Sequence, residues 1–516
     1  MIYKTIFFIV FFIWKGKAND CIPRKFNYDS FVCVCNSTYC DSTPEIKEPE
    51  KGSYYVYSSD KDKLRLKFSE GKFVKDIKDN SIPDENYVLS LNNTVIVDRK
   101  TKYQKIQGFG GAFTDSAGID IKTLSEATQD MLIKTYFNQN GSRYNLGRVP
   151  IGGSDFSTTA YTLDNTVNDT NLKDFKLTKY DVDYKIPLIK QALELSPDLR
   201  LTSAVWSPPI WMKTNNQYFG PSILKKEYYQ TYAEYYIKFL QAYKSYGIDI
   251  WAVSTGNEPN DAWIPGAPIS CMGWIPFELG SWIANNLGPT LARSEYNKTM
   301  ILVLDDQRFY LIQFLDHVLK NKKALDYIHG IAVHWYTDEF ISPSLLDITH
   351  NKYPNKFLLL TEACVGSQPN DNPKVQLGSW KRGEDYLLNI IQNLRHSVTG
   401  WIDWNLALNK MGGPNYIHNY VDSPIIVNPE TDEFFKQPTF YAIKHFSRFV
   451  ERDSVRIESM ETNDIRTIAF ETPSKMIVVV LYNMSSKSKN ITIIDSKNGP
   501  IKMEISSYSI HTITYK

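Results

Sequence analysis

The stretch Gly108-Phe109-Gly110-Gly111-Ala112-Phe113 decides between two parallel-sheet folds. A doubly wound open sheet built to hold a dinucleotide needs a third glycine in the turn after its first strand and an acidic residue after its second. This chain supplies neither, which leaves a closed barrel. Working outward, short apolar runs that end in polar or aromatic residues recur at 105–111, 144–150, 199–206, 250–256, 300–304, 330–335, 357–362 and 399–404. Stretches with apolar residues at helical spacing lie between many of them, at 124–137, 184–195, 226–246, 307–320 and 384–396, and another follows at 438–450. Strand followed by helix, eight times over, predicts a (β/α)8 TIM barrel spanning 99–452.

Both flanks change rhythm. Alternating runs at 53–59, 63–68, 87–91 and 94–98, and again at 455–461, 465–471, 476–483, 490–494, 501–506 and 509–515, read as strands. Neither end has enough of them alone. Segments 50–98 and 453–516 are therefore expected to join into one flanking β-sandwich domain.

A length of 516 residues suits one large barrel with a smaller companion. Hydrophobic residues at 42% and charged ones at 22% exclude a disordered chain, and 14% aromatics lean towards a surface for the apolar faces of sugars. The net charge is +1, with no basic run interleaved with aromatics, which argues against a nucleic-acid partner.

Lys4 precedes an apolar run from Ile6 to Trp14. That run is too short to cross a bilayer, which takes about 20 residues. It suits a signal peptide over 1–18 cut after Ala18, a buried N-terminal strand being the other reading. No later segment is apolar enough to span a membrane, so the expectation is a soluble protein of the secretory pathway. Cys21, Cys33, Cys35 and Cys40 crowd a small N-terminal module over 19–45. In an oxidising compartment they read as two disulfides, with three pairings open. A zinc site fits less well, because no histidine is near and the spacing lacks two separated Cys-x-x-Cys pairs. Cys271 and Cys364 read as free, buried thiols. Asn-x-Ser/Thr sequons for glycosylation stand at Asn36, Asn92, Asn140, Asn168, Asn297, Asn483 and Asn490.

Catalytic groups of a TIM barrel sit where its strands end. Those ends carry Arg148 and Asp155, Trp206, Asn257 and Glu258, Tyr336, Glu362, and Trp404. Two glutamates from strands four and seven thus face one mouth, the equipment for glycoside hydrolysis. Glu258 is expected to protonate the leaving oxygen and Glu362 to attack the anomeric carbon, which requires about 5–5.5 Å between them. Asn257 is placed to hold the sugar 2-hydroxyl, Arg148 to keep Glu362 ionised, and Glu258 to stay protonated, with an acidic optimum. Singly, a glutamate at a strand end is usually a solvated or ion-paired group and a tryptophan is packing. Their convergence is what argues for a site. Gly-x-Ser-x-Gly and His-Glu-x-x-His are both absent, and the eight histidines are scattered. His334 lacks clustered partners for a metal and reads as orienting a neighbour, so no cofactor is expected. A barrel that only binds sugar would have lost one of the glutamates.

From Cys21 to Lys516 the chain closely resembles glycoside hydrolase family 30, in the animal branch that acts on glucosylceramide. The resemblance is carried by Cys33-Val-Cys-Asn-Ser-Thr-Tyr-Cys40, Gly108-Phe-Gly-Gly-Ala-Phe-Thr-Asp115, Ala332-Val-His-Trp-Tyr336 and Thr361-Glu-Ala-Cys-Val-Gly366. Asp403-Trp-Asn-Leu-Ala-Leu-Asn409 and Val421-Asp-Ser-Pro-Ile-Ile-Val427 extend it. It implies that Asn257-Glu258-Pro259 holds the acid/base and Thr361-Glu362-Ala363 the nucleophile of a retaining β-glucosidase that releases glucose from glucosylceramide. Asp155, Trp206, Asn257 and Trp404 would bind the glucose ring, with Tyr336, His334, Arg148 and Asn419 lining the pocket. It also implies the pairs Cys21–Cys33 and Cys35–Cys40, no metal, and partners in acidic membrane lipid, a saposin-type activator and a sorting receptor. Another β-glucoside or a polysaccharide is the alternative substrate. Loop 260–270, with Ala267 and Ile269 where an aromatic pair is expected, and loop 367–374 depart from the family on the aglycone side.

Overall fold

In a computed structural model, which describes residues 18–74, 93–495 and 497–516, eight parallel strands close into a barrel. In chain order they are β1 (Gly108–Ala112), β2 (Leu146–Ile151), β3 (Arg200–Val205), β4 (Ala252–Ser254), β5 (Met300–Gln307), β6 (Ile328–His334), β7 (Phe357–Glu362) and β8 (Val398–Asp403). The ring shuts where β8 pairs with β1, Asp403 opposite Gly111. Leu146, Ala252, Leu302, Ala332, Leu359 and Ile402 form one buried cluster drawn from six of the strands, so the barrel interior is packed. The glycines of β1 serve this closeness. A Cβ on Gly110 would stand 1.7 Å from the Leu146 carbonyl oxygen.

Helices return between the strands much as the apolar spacing predicts. Glu126–Phe137 starts at Ser125, whose hydroxyl accepts from the Thr128 amide. The helix expected at 307–320 is shorter, Leu311–Val318. Positive φ at Leu304 and Asp305 puts an irregularity into β5, which carries the strand on to Gln307. The helix expected at 384–396 begins earlier, at Trp380, and ends at Arg395.

The sandwich draws on both flanks. Among the described residues its nine strands run in the order Ile501–Ile505, Lys489–Asp495, Thr94–Lys105, Val455–Ser459, Ile465–Glu471, Ile477–Asn483, Ser509–Tyr515, Ser53–Asp60 and Lys67–Lys72. On Ile477–Asn483 the two-residue period divides the labour. Ile477, Val479 and Leu481 enter the sandwich core, while Val478, Val480 and Tyr482 pack on the barrel side. The strand expected at 63–68 is displaced to Lys67–Lys72. Asp60 Oδ1 accepts the amides of Asp62, Lys63 and Leu64 and holds that stretch as a turn. Thr94–Lys105 stays in this sheet throughout, so the passage to the barrel comes after Lys105 rather than at 98. The expected strand 87–91, the sequon at Asn92 and the signal segment up to residue 17 lie outside the described residues.

The N-terminal module is a hairpin, Pro23–Lys25 with Phe31–Asn36, stapled by Cys21–Cys33 and Cys35–Cys40. It extends a small sheet whose other strands, Glu433–Lys436, Ile425–Asn428 and Leu408–Asn409, lie within the stretch assigned to the barrel. Asp41 anchors it from below, 2.6 Å from the fully buried ammonium of Lys436. Cys271 and Cys364 are free and buried. Among the described residues no helix is long and apolar enough to cross a membrane.

Candidate active site

The backbone beyond β4 is tied on both sides before it delivers its side chains. The Asn257 amide donates to the Val205 carbonyl at 2.8 Å and the Glu258 amide to the Asp305 carbonyl at 2.9 Å. Glu258 itself takes a left-handed backbone, φ 40°. Such a conformation is sparsely populated by non-glycine residues and is held here by the neighbouring strands. Across the mouth, Glu362 ends β7. A carboxylate oxygen of Glu258 and one of Glu362 lie within 4.8 Å of each other.

A cavity of about 280 Å³ opens over this pair, at the small end of ligand pockets. Asp155, Trp206, Glu258, Tyr336, Glu362, Trp404 and Asn419 all line it. Trp206 and Trp404 stack at 5.1 Å, and the Arg148 guanidinium lies 5.0 Å from the first ring and 5.4 Å from the second. Arg148, Asn257 and His334 sit buried behind the wall. Arg148 donates to Glu362 Oε2, to Asn257 Oδ1 at 2.7 Å and to Asp305 Oδ2 at 2.9 Å. Tyr336 donates to Glu362 Oε1 at 2.7 Å. Both Glu362 oxygens are thus held by donors, which fixes the carboxylate's orientation.

Glu258 has a different environment. Burial pushes its carboxyl up to about 7, with the charge of His334 opposing and that of Glu362 adding. His334 donates through Nδ1 to Glu258 Oε1 at 2.8 Å and through Nε2 to Asp305 Oδ1 at 3.0 Å. Burial would lower the imidazole, but Glu362 and Glu258 overcome it and raise it to about 10. Both ring nitrogens of His334 are thus engaged by protein carboxylates, which fixes the imidazole between Glu258 and Asp305. Asp155, whose Oδ2 accepts from Asn415 at 3.2 Å and Asn419 at 3.4 Å, is pushed up to about 7 by burial and then by Glu362. A larger recess, about 500 Å³, adjoins this cavity through Tyr336, Ser367 and Gln368 and contains neither glutamate.

Residues 106–450 match the glycosyl hydrolase family 30 TIM-barrel domain, and 453–513 match the family 30 β-sandwich domain. The chain belongs to glycosyl hydrolase family 30. Lysosomal acid glucosylceramidase of Mus musculus is 41% identical over 517 residues, covering 98% of this chain and 97% of its own. Putative glucosylceramidase 3 of Caenorhabditis elegans is 38% identical over 510 residues, covering 96% and 95%. Among solved structures, SrfJ from Salmonella typhimurium aligns with a TM-score of 0.81 at 27% identity, covering 90% of this chain and 99% of that one. As a family 30 member the chain is a glycoside hydrolase, with the barrel and sandwich that its strand rhythm predicts.

Reading the sequence missed the residue that joins this family 30 site together. Asp305 receives Arg148, His334 and the Thr361 hydroxyl, the last at 2.6 Å. Burial works to raise its pKa, but Arg148 and His334 hold it well below the usual carboxylate range. It stands one residue beyond the run 300–304, at a strand end like the others, and the signal was available. Gln307, which donates to Glu258 Oε1 at 2.7 Å, was hidden inside an expected helix.

Proposed function

We propose that this family 30 enzyme is a retaining β-glucosidase that releases glucose from glucosylceramide. The observation that carries the mechanism is the spacing of Glu258 and Glu362, whose oxygens approach within 4.8 Å across one cavity. Inverting enzymes leave about 6.5–9.5 Å for a water, whereas direct attack needs about 5–5.5 Å. Glu362, oriented by Arg148 and Tyr336, attacks the anomeric carbon. Glu258 gives its proton to the departing oxygen as that bond breaks. In the second step Glu258, now a carboxylate, takes a proton from water while the water's oxygen displaces Glu362. Asn257 accepts from Arg148 through Oδ1, which helps to hold the guanidinium against Glu362. Trp206 and Trp404, which both line the cavity, supply aromatic surface for the ring's apolar face.

The lipid part of the reading is supported by the relatives and by the rim. Phe219, Trp263, Ile264, Phe277, Phe309 and Phe340 are exposed, and all lie on segments that follow barrel strands, on the side where the cavity opens. Solvated apolar groups gathered on one face suit contact with a lipid surface. The segment 1–18 and the named setting of the mouse relative support a lysosomal lumen.

Trapping with a 2-fluoroglucoside or cyclophellitol inactivator followed by peptide mapping tests the nucleophile, and label on any residue but Glu362 refutes it. Turnover of glucosylceramide against β-1,6-glucan, xylan and a sterol glucoside tests the substrate. A higher kcat/KM for any of the other three overturns the lipid assignment.

A further inference from the structure

The segment beyond β8 is gripped from inside by a side chain that the steps above leave unused. Asn415 is buried and does not itself line the cavity. Its Oδ1 accepts the amides of Ile417 at 3.0 Å and Asn419 at 3.1 Å. Its Nδ2 donates to the Asn419 carbonyl at 3.1 Å and to Asp155 Oδ2 at 3.2 Å. Two amides require an oxygen and two oxygens require N–H groups. The orientation of the side chain is therefore forced, and its two donors and two acceptor positions are all spent.

We propose that Asn415 is a positioning residue for sugar recognition: it presents the Asp155 carboxylate and the Asn419 side chain to the glucose ring as one unit. The inference rests on the glucosidase reading above, with both residues lining the sugar cavity. The two arrive from different places, Asp155 after β2 and Asn419 after β8. Asn419 is exposed, and its neighbour His418 turns the chain with a φ of 59°. A solvated loop residue keeps a fixed place only where its backbone is held. Asn415 holds both the amide and the carbonyl of Asn419. The Asn419 side chain then joins Asn415 on Asp155 Oδ2, at 3.4 Å. Oδ1 of Asp155 is left without a side-chain donor among the described residues. One carboxylate oxygen is anchored and the other is kept for a sugar hydroxyl.

The rest of the loop has its own anchors. The Tyr416 amide donates to the Asp155 carbonyl at 3.3 Å, the Ser270 amide to the Tyr416 hydroxyl at 2.9 Å, and the Ser116 hydroxyl to the Pro414 carbonyl. Loss of the Asn415 side chain therefore frees the inner turn and leaves the outer contacts in place. The charge of Asp155 also depends on these amides. Burial and then Glu362, on β7, favour its neutral form, and Asn415 and Asn419 oppose them. Cys364, beyond β7, and Tyr416 face it as neutral acids. Among the described residues no cation pairs with Asp155.

Asn415→Asp separates positioning from loop structure. One oxygen still accepts the amides of Ile417 and Asn419, while the N–H groups are lost. Protonated, the new carboxyl donates to Asp155 as the amide did; ionised, it repels Asp155 across the 3.2 Å that the amide now spans. The expected KM for an aryl β-glucoside is within about twofold of wild type at about pH 4.5 and about tenfold above it at about pH 7.5, with a smaller change in kcat. Asn415→Ala has no proton to regain and should raise KM at both pH values. Adding Asn415→Asp to Asp155→Asn should raise KM no further. A KM ratio for Asn415→Asp that does not grow with pH, a wild-type KM in Asn415→Ala, a fall in kcat alone, or a further rise in the double variant overturns the role of Asn415. Asp155→Asn alone separates this from failure of the parent reading. If its KM is that of wild type, Asp155 does not bind the sugar. If its KM rises while Asn415→Asp behaves as wild type at both pH values, only the inference about Asn415 falls.

Discussion

Replacing Asp305 by asparagine keeps the shape and removes the charge on which the site's cations converge. Asp305 is buried and accepts from Arg148 Nη2 at 2.9 Å and His334 Nε2 at 3.0 Å. Charge-assisted bonds are worth about 1.5–3 kcal/mol against about 0.5–1.5 kcal/mol for neutral ones. Downgrading two of them costs about 2–3 kcal/mol. The new amide also turns a donor towards Arg148 or His334, both of which only donate. If the loss falls wholly on the transition state, kcat/KM drops about 30- to 150-fold. Thermal melts report the same change with a defined pH dependence. His334 has a folded value raised to about 10, above the unfolded value of about 6.5. Its contribution to stability is complete below the unfolded value and is lost as pH rises through the folded one. The melting temperature of Asp305→Asn should therefore fall furthest below wild type in acid, with the gap narrowing in alkali. A variant within threefold of wild-type kcat/KM, or a gap that widens with pH, would refute the view that Asp305 organises the two cations.

Glu258→Gln should slow glucosides with poor leaving groups far more than activated aryl ones, and kcat/KM of the wild type should fall as pH passes about 7, where Glu258 loses its proton. Equal losses on both substrate types count against the acid role. Phe309→Ser with Phe340→Ser should weaken sedimentation with anionic vesicles and cut hydrolysis of vesicle-borne glucosylceramide about tenfold, leaving a soluble aryl glucoside unchanged. Asp41→Ala strands the buried Lys436 ammonium and should cost about 3–5 kcal/mol in denaturant melts, with Asp41→Leu plus Lys436→Met recovering most of it. Asp41 is hard to ionise by burial, yet Lys436 and Lys444 hold it below its ordinary value. The contribution of Asp41 is therefore present above about pH 4 and lost as pH falls through the folded value.

The barrel was legible because its strands are apolar runs closed by chemistry-bearing residues, so one pattern announces both fold and mouth. Asp155, Trp206, Glu258, Tyr336, Glu362, Trp404 and Asn419 come together in one cavity for that reason. What stayed illegible depends on local backbone. The positive φ of Leu304 and Asp305 lengthens β5 and converts an expected helix start into Gln307, a partner of Glu258. The turn gathered by Asp60 displaces a strand, because one side-chain oxygen outbid the alternation of 63–68 for three amides. Periodicity also gave no hint that the cysteine module pairs with Glu433–Lys436, since long-range strand partners leave no mark in local spacing.

That last pairing sets a timetable for biosynthesis. Phe31–Asn36 emerges early, but the strand it needs, Glu433–Lys436, follows some 400 residues later. At about 5–20 residues per second the wait is about 20–80 s. Throughout it an apolar edge with newly oxidised cysteines is open to strangers, so the two short-range staples, spanning 12 and 5 residues, act as a self-contained hold on the hairpin until its distant mate is made.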